Sequence, residues 1–416
     1  MIKSHLGILL FGLSGFINFQ VWSQTCNPDS LIRRDIRAID TDAKIKWELG
    51  KHITFYNPTC KSLNTLLVHL VGTSDDPQST TLFTALAANN GYHVINLKYP
   101  NQNGSAQGVC KNSTDTNCFI NFRKETIEGL DYSPDISVDS NNCIYNRLYK
   151  LLKYLEFNHP NENWSQYVNN SNFYWDKIIV SGHSQGGGHA AVIAIENKVK
   201  RVLMFASPND YSTHFSSYAT WIKATHITPD SNYYGFTNYF DNTIGDFSNQ
   251  VNTWTALGMN KFGDTTCIDH KVYPFLNSRQ LYTKIDLPGV LGLANHSVMI
   301  VDEYTVDSSN KLLYEDVWKY MLGIIPNSNS NKPISLKTQK IQIYPNPCKD
   351  QFIIQSSNLI YSISIFNSIG KLVYNKEFRN QTTEVNINID GNETGLYFIE
   401  LIDVKGSKYF EKLFHH

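Results

Sequence analysis

Charge is scarce in this sequence. Asp, Glu, Lys and Arg make up only 18% of its 416 residues, and 36 basic against 37 acidic side chains leave a net charge of −1. No excess of one sign is available to steer the chain toward a polyanion, which argues against binding to nucleic acid or to an anionic membrane surface. Cysteine is present seven times, but never in the paired C-x-x-C spacing of a zinc site. Past the first twenty residues, no apolar run is long enough to span a bilayer. These absences leave no metal, no cofactor and no membrane span in the mature chain to be expected. Hydrophobic residues make up 41% of the chain, enough for a packed core rather than disorder. The length admits one large domain and a smaller one.

The N-terminus reads as a signal peptide over residues 1–23. Lys3 supplies the positive region, Leu6 to Phe19 the apolar core, and Val21 and Ser23 the small residues before cleavage ahead of Gln24. The competing reading is a buried helix of the mature fold. Export would make disulfides permissible. Six of the cysteines lie before residue 300, which allows fifteen pairings. Cys110 with Cys118 is the easiest bridge, closing a short polar loop.

Residues 182–186 read Gly182-His183-Ser184-Gln185-Gly186, a G-x-S-x-G pentapeptide. It follows the apolar run Ile178-Ile179-Val180 and opens onto a small-residue stretch from Gly187 to Ile195. Strand, sharp turn and helix are the context in which a serine is held in a strained conformation with its hydroxyl above the sheet edge. Ser184 is therefore the candidate nucleophile.

The surrounding pattern is α/β. Residues 66–73 read as a buried strand ending in a glycine turn. Asp76-Pro77 then opens a helix through Leu82, Leu86 and Ala87, and Tyr92 to Tyr99 forms the next strand. Such a strand–helix–strand unit implies a mostly parallel sheet. Residues 101–141, polar and rich in Gly, Asn and Ser, read as an ordered surface insertion that shapes the substrate cleft or merely decorates it. An amphipathic helix is expected over 143–156, strands over 177–181, 201–206 and 233–237, and a closing helix at Leu313, Val317 and Tyr320. Residues 326–338 have linker composition. Beyond them, short alternating strands are expected at 341–344, 352–355, 362–366, 371–374, 383–389, 396–402 and 408–413, forming a small all-β sandwich.

A serine hydroxyl needs a base, and on this kind of sheet the partners follow in the order serine, acid, histidine. His296 lies just ahead of the closing helix and is the expected base, with His270 the runner-up. His189, His214 and His226 are expected to be structural or on the surface. Asp241, just after strand 233–237, is the expected acid, in competition with Asp246 and Asp210. The oxyanion hole needs two backbone N–H groups. Gln185 and Thr73, the latter in the turn after strand 66–71, are expected to supply them.

With these residues in hand, 60–322 resemble the α/β-hydrolase superfamily. His69-Leu70-Val71-Gly72-Thr73, Gly182 to Gly187 and Asn295-His296 match its oxyanion-loop, elbow and histidine regions, most similarly to one bacterial group of serine hydrolases. The expected fold of residues 24–325 is thus an α/β-hydrolase catalytic domain with a mostly parallel sheet. The oxyanion loop is not the His-Gly-Gly-Gly type of many lipases. Residues 339–416 resemble the C-terminal sorting domain of the type IX secretion system. The match rests on Tyr344-Pro345-Asn346-Pro347, on Ile365 to Lys371 and on Gly395-Leu396-Tyr397, although the end, Phe414-His415-His416, lacks the usual lysine- or arginine-containing finish. That resemblance implies the type IX machinery as a partner, passage across both membranes of a Gram-negative cell, and removal of this domain. The expected function is a secreted carboxylic ester hydrolase with an extracellular ester substrate and an acyl-enzyme intermediate. The alternatives are a peptidase or acyltransferase on the same triad, or a non-catalytic binding or adhesion protein.

Overall fold

The computed structural model describes residues 26–102, 104–170, 172–242, 244–287, 293–307, 311–325, 342–368, 371–389, 391–404 and 408–416. The expected signal peptide and linker lie outside the described residues. The chain divides into two compact units, Met1–Ile325 and Pro326–His416.

The first unit is built on one mixed sheet. Its strands are β1 (Ile32–Arg37), β2 (Lys51–Tyr56), β3 (Leu66–Leu70), β4 (His93–Leu97), β5 (Ile178–His183) and β6 (Arg201–Phe205). After a small hairpin of β7 (Tyr211–Ser212) and β8 (Ser217–Tyr218) come β9 (Tyr233–Asn238), β10 (Thr266–Cys267) and β11 (Gln280–Thr283). The nine sheet strands run in the order β1-β2-β4-β3-β5-β6-β9-β11-β10. β1 and β2 are antiparallel, β2 is antiparallel to β4, and every other neighbour pair is parallel.

The central strands are unbroken apolar runs because helices cover both faces. The period of two still shows in where each side chain goes. Leu66, Val68, Ile178, Val180, Val202 and Met204 pack into one core with α4 (Cys118–Glu128), α5 (Ile144–Asn158) and α6 (Gln185–Glu196). Leu67, Ile179, Leu203 and Phe205 pack into the other with α2 (Thr81–Ala88) and α9 (Glu315–Leu322). The chain leaves β3 for β4 on one side and returns to β5 on the other. That reversal opens a crevice at the carboxyl ends of β3 and β5, where a ligand site is expected in such sheets.

Three expectations need adjustment. Asp76 caps a 3-10 turn, Pro77–Thr80, and α2 starts only after it. Residues 101–141 are more than surface: α4 buries Phe119, Phe122, Arg123, Glu125 and Ile127. Its two inward charges were what made the segment look polar, and both are satisfied, Glu125 by the N–H groups of Tyr132, Ser133 and Val138. His296 lies in a short helix, α8 (Leu293–Ser297), rather than a loop.

The second unit is antiparallel β. Its described strands are β12 (Gln342–Tyr344), β13 (Gln351–Asn367), β14 (Leu372–Asn388), β15 (Gly395–Asp403) and β16 (Lys408–His415), hydrogen-bonded as one five-stranded sheet. The expected strands at 352–355 and 362–366 are two halves of β13, joined through register shifts between Gln355 and Ser362. The buried side chains change parity there, from Phe352 and Ile354 to Ile363 and Ile365. A β-bulge does this by inserting a residue without ending the strand.

The turn between β5 and α6 tolerates no extra atom. A Cβ on Gly186 would lie 2.1 Å from the Leu70 carbonyl oxygen, and one on Gly182 would lie 2.2 Å from the Gly186 carbonyl carbon. Because both obstacles are backbone, no side chain can move aside. Gly186→Ala is expected to cost at least the ~1–3 kcal/mol of an overpacked core, read as a lowered urea midpoint at unchanged slope. A wild-type midpoint for this variant would show that the β3–α6 approach is looser than described.

Candidate active site

Ser184 sits between β5 and α6 with φ 52° and ψ −118°, outside the regions favoured by residues carrying a Cβ. Its N–H donates to the Phe205 carbonyl at 2.8 Å, and its own carbonyl accepts from the Gly188 N–H at 3.2 Å. The strained peptide is thereby fixed to β6 on one side and to the first turn of α6 on the other. The hydroxyl is turned to the crevice and lies 2.8 Å from His296 Nε2.

His296 is buried, and its Nδ1 donates to Asp241 Oδ2 at 2.7 Å. Asp241 follows the end of β9 and is fully buried. Its carboxylate also accepts from the Gly245 N–H at 2.9 Å and from the Gln250 amide at 3.1 Å. A Cβ on Gly245 would come within 2.4 Å of both Asp241 Oδ2 and the Gln250 nitrogen, so only glycine lets this backbone approach the carboxylate. Burial by itself pushes the Asp241 carboxyl up. The facing His296 and the two N–H donors outweigh it and hold the group below the ordinary carboxylate range. The base is positioned from behind as well, because His183 Nε2 donates to the His296 carbonyl at 2.9 Å.

The structure therefore brings Ser184, His296 and Asp241 into one hydrogen-bonded chain. The competitors lie elsewhere. Asp246 caps α7 (Phe247–Ala256), accepting from the Asn249 N–H at 2.8 Å. Asp210 is buried in a two-pronged ion pair with Arg123, Nε to Oδ2 at 2.6 Å, and accepts from the Trp221 indole at 2.9 Å. His270 is exposed, as is His214. His189 is buried on α6 with its ring edge-on to Tyr99, and His226 contacts the Ile222 carbonyl.

Thr73 and Gln185 stand side by side, with the Thr73 hydroxyl donating to Gln185 Oε1 at 2.8 Å. The Gln185 N–H belongs to the first turn of α6, where a helix leaves its amides without intrahelical acceptors. Among the described residues no acceptor takes the Thr73 N–H. Arg123, which the sequence reading missed, donates from Nη1 to the Gln185 carbonyl at 3.0 Å and so ties the first turn of α6 to α4. Only its place on the otherwise buried face of Phe119 and Phe122 could have marked it. Asn209 and Gln250 were also missed. Gln250 donates to Asn209 at 2.8 Å, and neither carries a sequence signal.

Ser184 opens onto a cleft of about 760 Å3. Its walls come from residues 72–75 after β3, from α3 (Ala106–Cys110) and from residues 301–304. The Cys110–Cys118 bridge joins α3 to α4, and Cys26–Cys60 forms a second disulfide. Cys143, Cys267 and Cys348 are free. Among the described residues no cluster of His, Cys, Asp and Glu could hold a metal ion, and no helix is long and apolar enough to cross a membrane.

Comparison with known proteins bears on the second unit. Residues 342–415 match the family described as "Secretion system C-terminal sorting domain". This unit is a type IX secretion sorting domain, which implies interaction with that machinery and directs export to the cell surface or the extracellular space. No curated protein matches the chain. Among solved structures, a DUF3244 family protein with an immunoglobulin-like β-sandwich fold from Bacteroides vulgatus ATCC 8482 is 14% identical; the match covers 18% of this chain and 84% of that one, at a TM-score of 0.17. CopC from Methylosinus trichosporium OB3b is 17% identical, covering 19% of this chain and 84% of that one, at a TM-score of 0.14.

Buried imidazoles make the first unit sensitive to acid. Burial pushes His52, His69 and His183 down to about 3. In the unfolded chain they titrate near ~6.5. Between those values the unfolded state binds more protons, so stability falls as pH falls from about 6.5 and stops falling below about 3. At pH 5 each histidine is expected to remove up to ~2 kcal/mol. Asp241 acts in the same sense at still lower pH, because its lowered carboxyl stabilises only while ionised. Urea unfolding at pH 7 and pH 5 checks this, and equal stabilities at both would refute it.

Proposed function

We propose that the chain is a secreted serine hydrolase of the α/β-hydrolase superfamily, acting on carboxylic esters through Ser184, His296 and Asp241. One observation carries the reading. A serine held at φ 52° on a strand–turn–helix elbow shares its hydroxyl with a buried histidine at 2.8 Å, and that histidine is held by a buried carboxylate at 2.7 Å. The elbow at the carboxyl end of β5, the strand order reversing at β3, and the chain order Ser184, Asp241, His296 all support it.

Ser184 Oγ attacks the ester carbonyl carbon while His296 Nε2 takes its proton. Asp241 keeps the Nδ1–H tautomer in place and stabilises the imidazolium. The carbonyl oxygen gains the electron pair, and the N–H groups of Gln185 and Thr73 hold it. As the tetrahedral intermediate collapses, the C–O bond to the alcohol breaks, and His296 returns the proton to the leaving oxygen. Water then attacks the acyl-enzyme with His296 again as base, releasing the acid and restoring Ser184.

A fluorophosphonate probe is expected to label Ser184 and no other residue. Ser184→Ala is expected to abolish labelling and lower kcat on p-nitrophenyl acetate by about 10^4–10^6-fold. Asp241→Asn, which favours the wrong histidine tautomer, is expected to cost about 10^4-fold. Asp246→Asn, at a helix cap, is expected to stay near wild type. An unlabelled wild type, or full activity in Ser184→Ala, would end the proposal.

A further inference from the structure

The cleft beside Ser184 is lined by groups that suit one class of ester, and this inference rests on the ester-hydrolase reading above. Its described lining is polar almost throughout. Thr73, Ser74, Ser79, Ser105, Asn209 and Ser297 present hydroxyl or amide groups, with Lys111, Asp75 and Glu303 among them. The aliphatic side chains larger than alanine are Ile244, Leu293 and Val301. Two of these are rim residues, with Ile244 40% and Leu293 51% exposed. Tyr304 adds a half-buried ring to the wall formed by 301–304.

Transfer energies decide what such a lining can accept. A long acyl chain gains about 0.8 kcal/mol for each methylene taken out of water into apolar surroundings. Here it would instead cover hydroxyl and amide groups without replacing their hydrogen bonds to water, at about 1–3 kcal/mol each. Two or three such groups cancel most of what a mid-length chain could gain. A polyhydroxylated ligand reverses the balance, because each of its hydroxyls can both donate and accept. An aromatic face beside such groups also suits the apolar face of a sugar ring. The volume, about 760 Å3, lies within the usual range for a small-ligand site of about 300–1,000 Å3.

We propose that the substrate is a short-acyl ester of a carbohydrate chain, with the sugar lying against the Thr73–Ser79 and Tyr304 walls. In the reaction, the C–O bond between the acyl carbon and the sugar oxygen breaks. The sugar hydroxyl leaves with a proton from His296, and the short acyl group passes through Ser184 to water.

The test uses the full chain after disulfide formation, with three substrates: acetylated xylan, p-nitrophenyl acetate and p-nitrophenyl palmitate. Release of acetate from the xylan, together with kcat/KM at least tenfold higher on the acetate than on the palmitate ester, is the expected result. Tyr304→Ala is expected to raise KM on acetylated xylo-oligosaccharides at least fivefold while leaving kcat within twofold. Higher kcat/KM on the palmitate ester, or no acetate release from the polymer, overturns the proposal. Fluorophosphonate labelling of the same preparation separates the two failures. A labelled enzyme that prefers palmitate refutes only the substrate class, whereas an unlabelled one refutes the hydrolase reading itself.

Discussion

The backbone of Ser184 is the constraint on which the rest of the site depends. A residue with a Cβ held at φ 52° and ψ −118° costs about 1–3 kcal/mol, and it persists only where its surroundings leave no alternative. Those surroundings are two parallel strands and a helix pressed together at van der Waals contact. β3 runs so close to α6 that the Leu70 carbonyl occupies the space a side chain at 186 would need. β6 anchors the serine amide through Phe205. The hydrophobic cores on both faces of the sheet hold these elements in register, so burial of Leu, Ile and Val far from the crevice offsets the strain at its edge.

A second requirement follows from the first. Holding an imidazole in line with a fixed hydroxyl means burying polar groups, and each buried polar group needs a partner. The chain meets this with long-range pairs. His183 supports the His296 carbonyl, Gly245 and Gln250 complete the Asp241 carboxylate, and Gln250 reaches on to Asn209. Arg123 and Asp210 form the most demanding case, two fully buried charges whose removal from water is repaid only by bidentate geometry and by the added bonds to Gln185 and Trp221. The pair does not enter the serine relay. It fixes the turn of α6 from which the Gln185 N–H projects.

What was legible in the sequence was what is local in it. The elbow could be read because strand, glycine, serine and helix are contiguous, and the central strands because burial on both faces leaves them unbroken apolar runs. β1 could not be read in this way: Ile32-Arg33-Arg34-Asp35-Ile36-Arg37 is an edge strand whose charged side chains reach solvent, and its only pairing is with β2. The Arg123–Asp210 pair spans 87 residues and has no motif. Asp241, Asp246 and Asp210 looked alike in sequence because each follows or flanks a strand in a polar loop. Three different sets of partners separate them, a histidine, a helix amide and a guanidinium, and no spacing rule could have supplied those. The β13 bulge was missed for a related reason. A parity change in the buried positions reads as a break when the strand in fact continues.

The α3 wall links the address of the protein to its cleft. α3 has five residues, far below the length at which a helix holds itself together in water. It nonetheless supplies Ala106, Gln107 and Gly108 to the lining, flanked by Ser105 and Lys111. Three things hold it: the Ser105 cap on the Gly108 N–H, the Gln107 side chain on the Tyr211 backbone, and the Cys110–Cys118 bridge to α4. Only the bridge is covalent, and a disulfide persists where the surroundings are oxidising. The sorting domain sends the chain to such surroundings. In a reducing cytosol the same wall would rest on two hydrogen bonds and a marginal helix, so the cleft attains its described shape under the redox conditions to which its C-terminal unit delivers it.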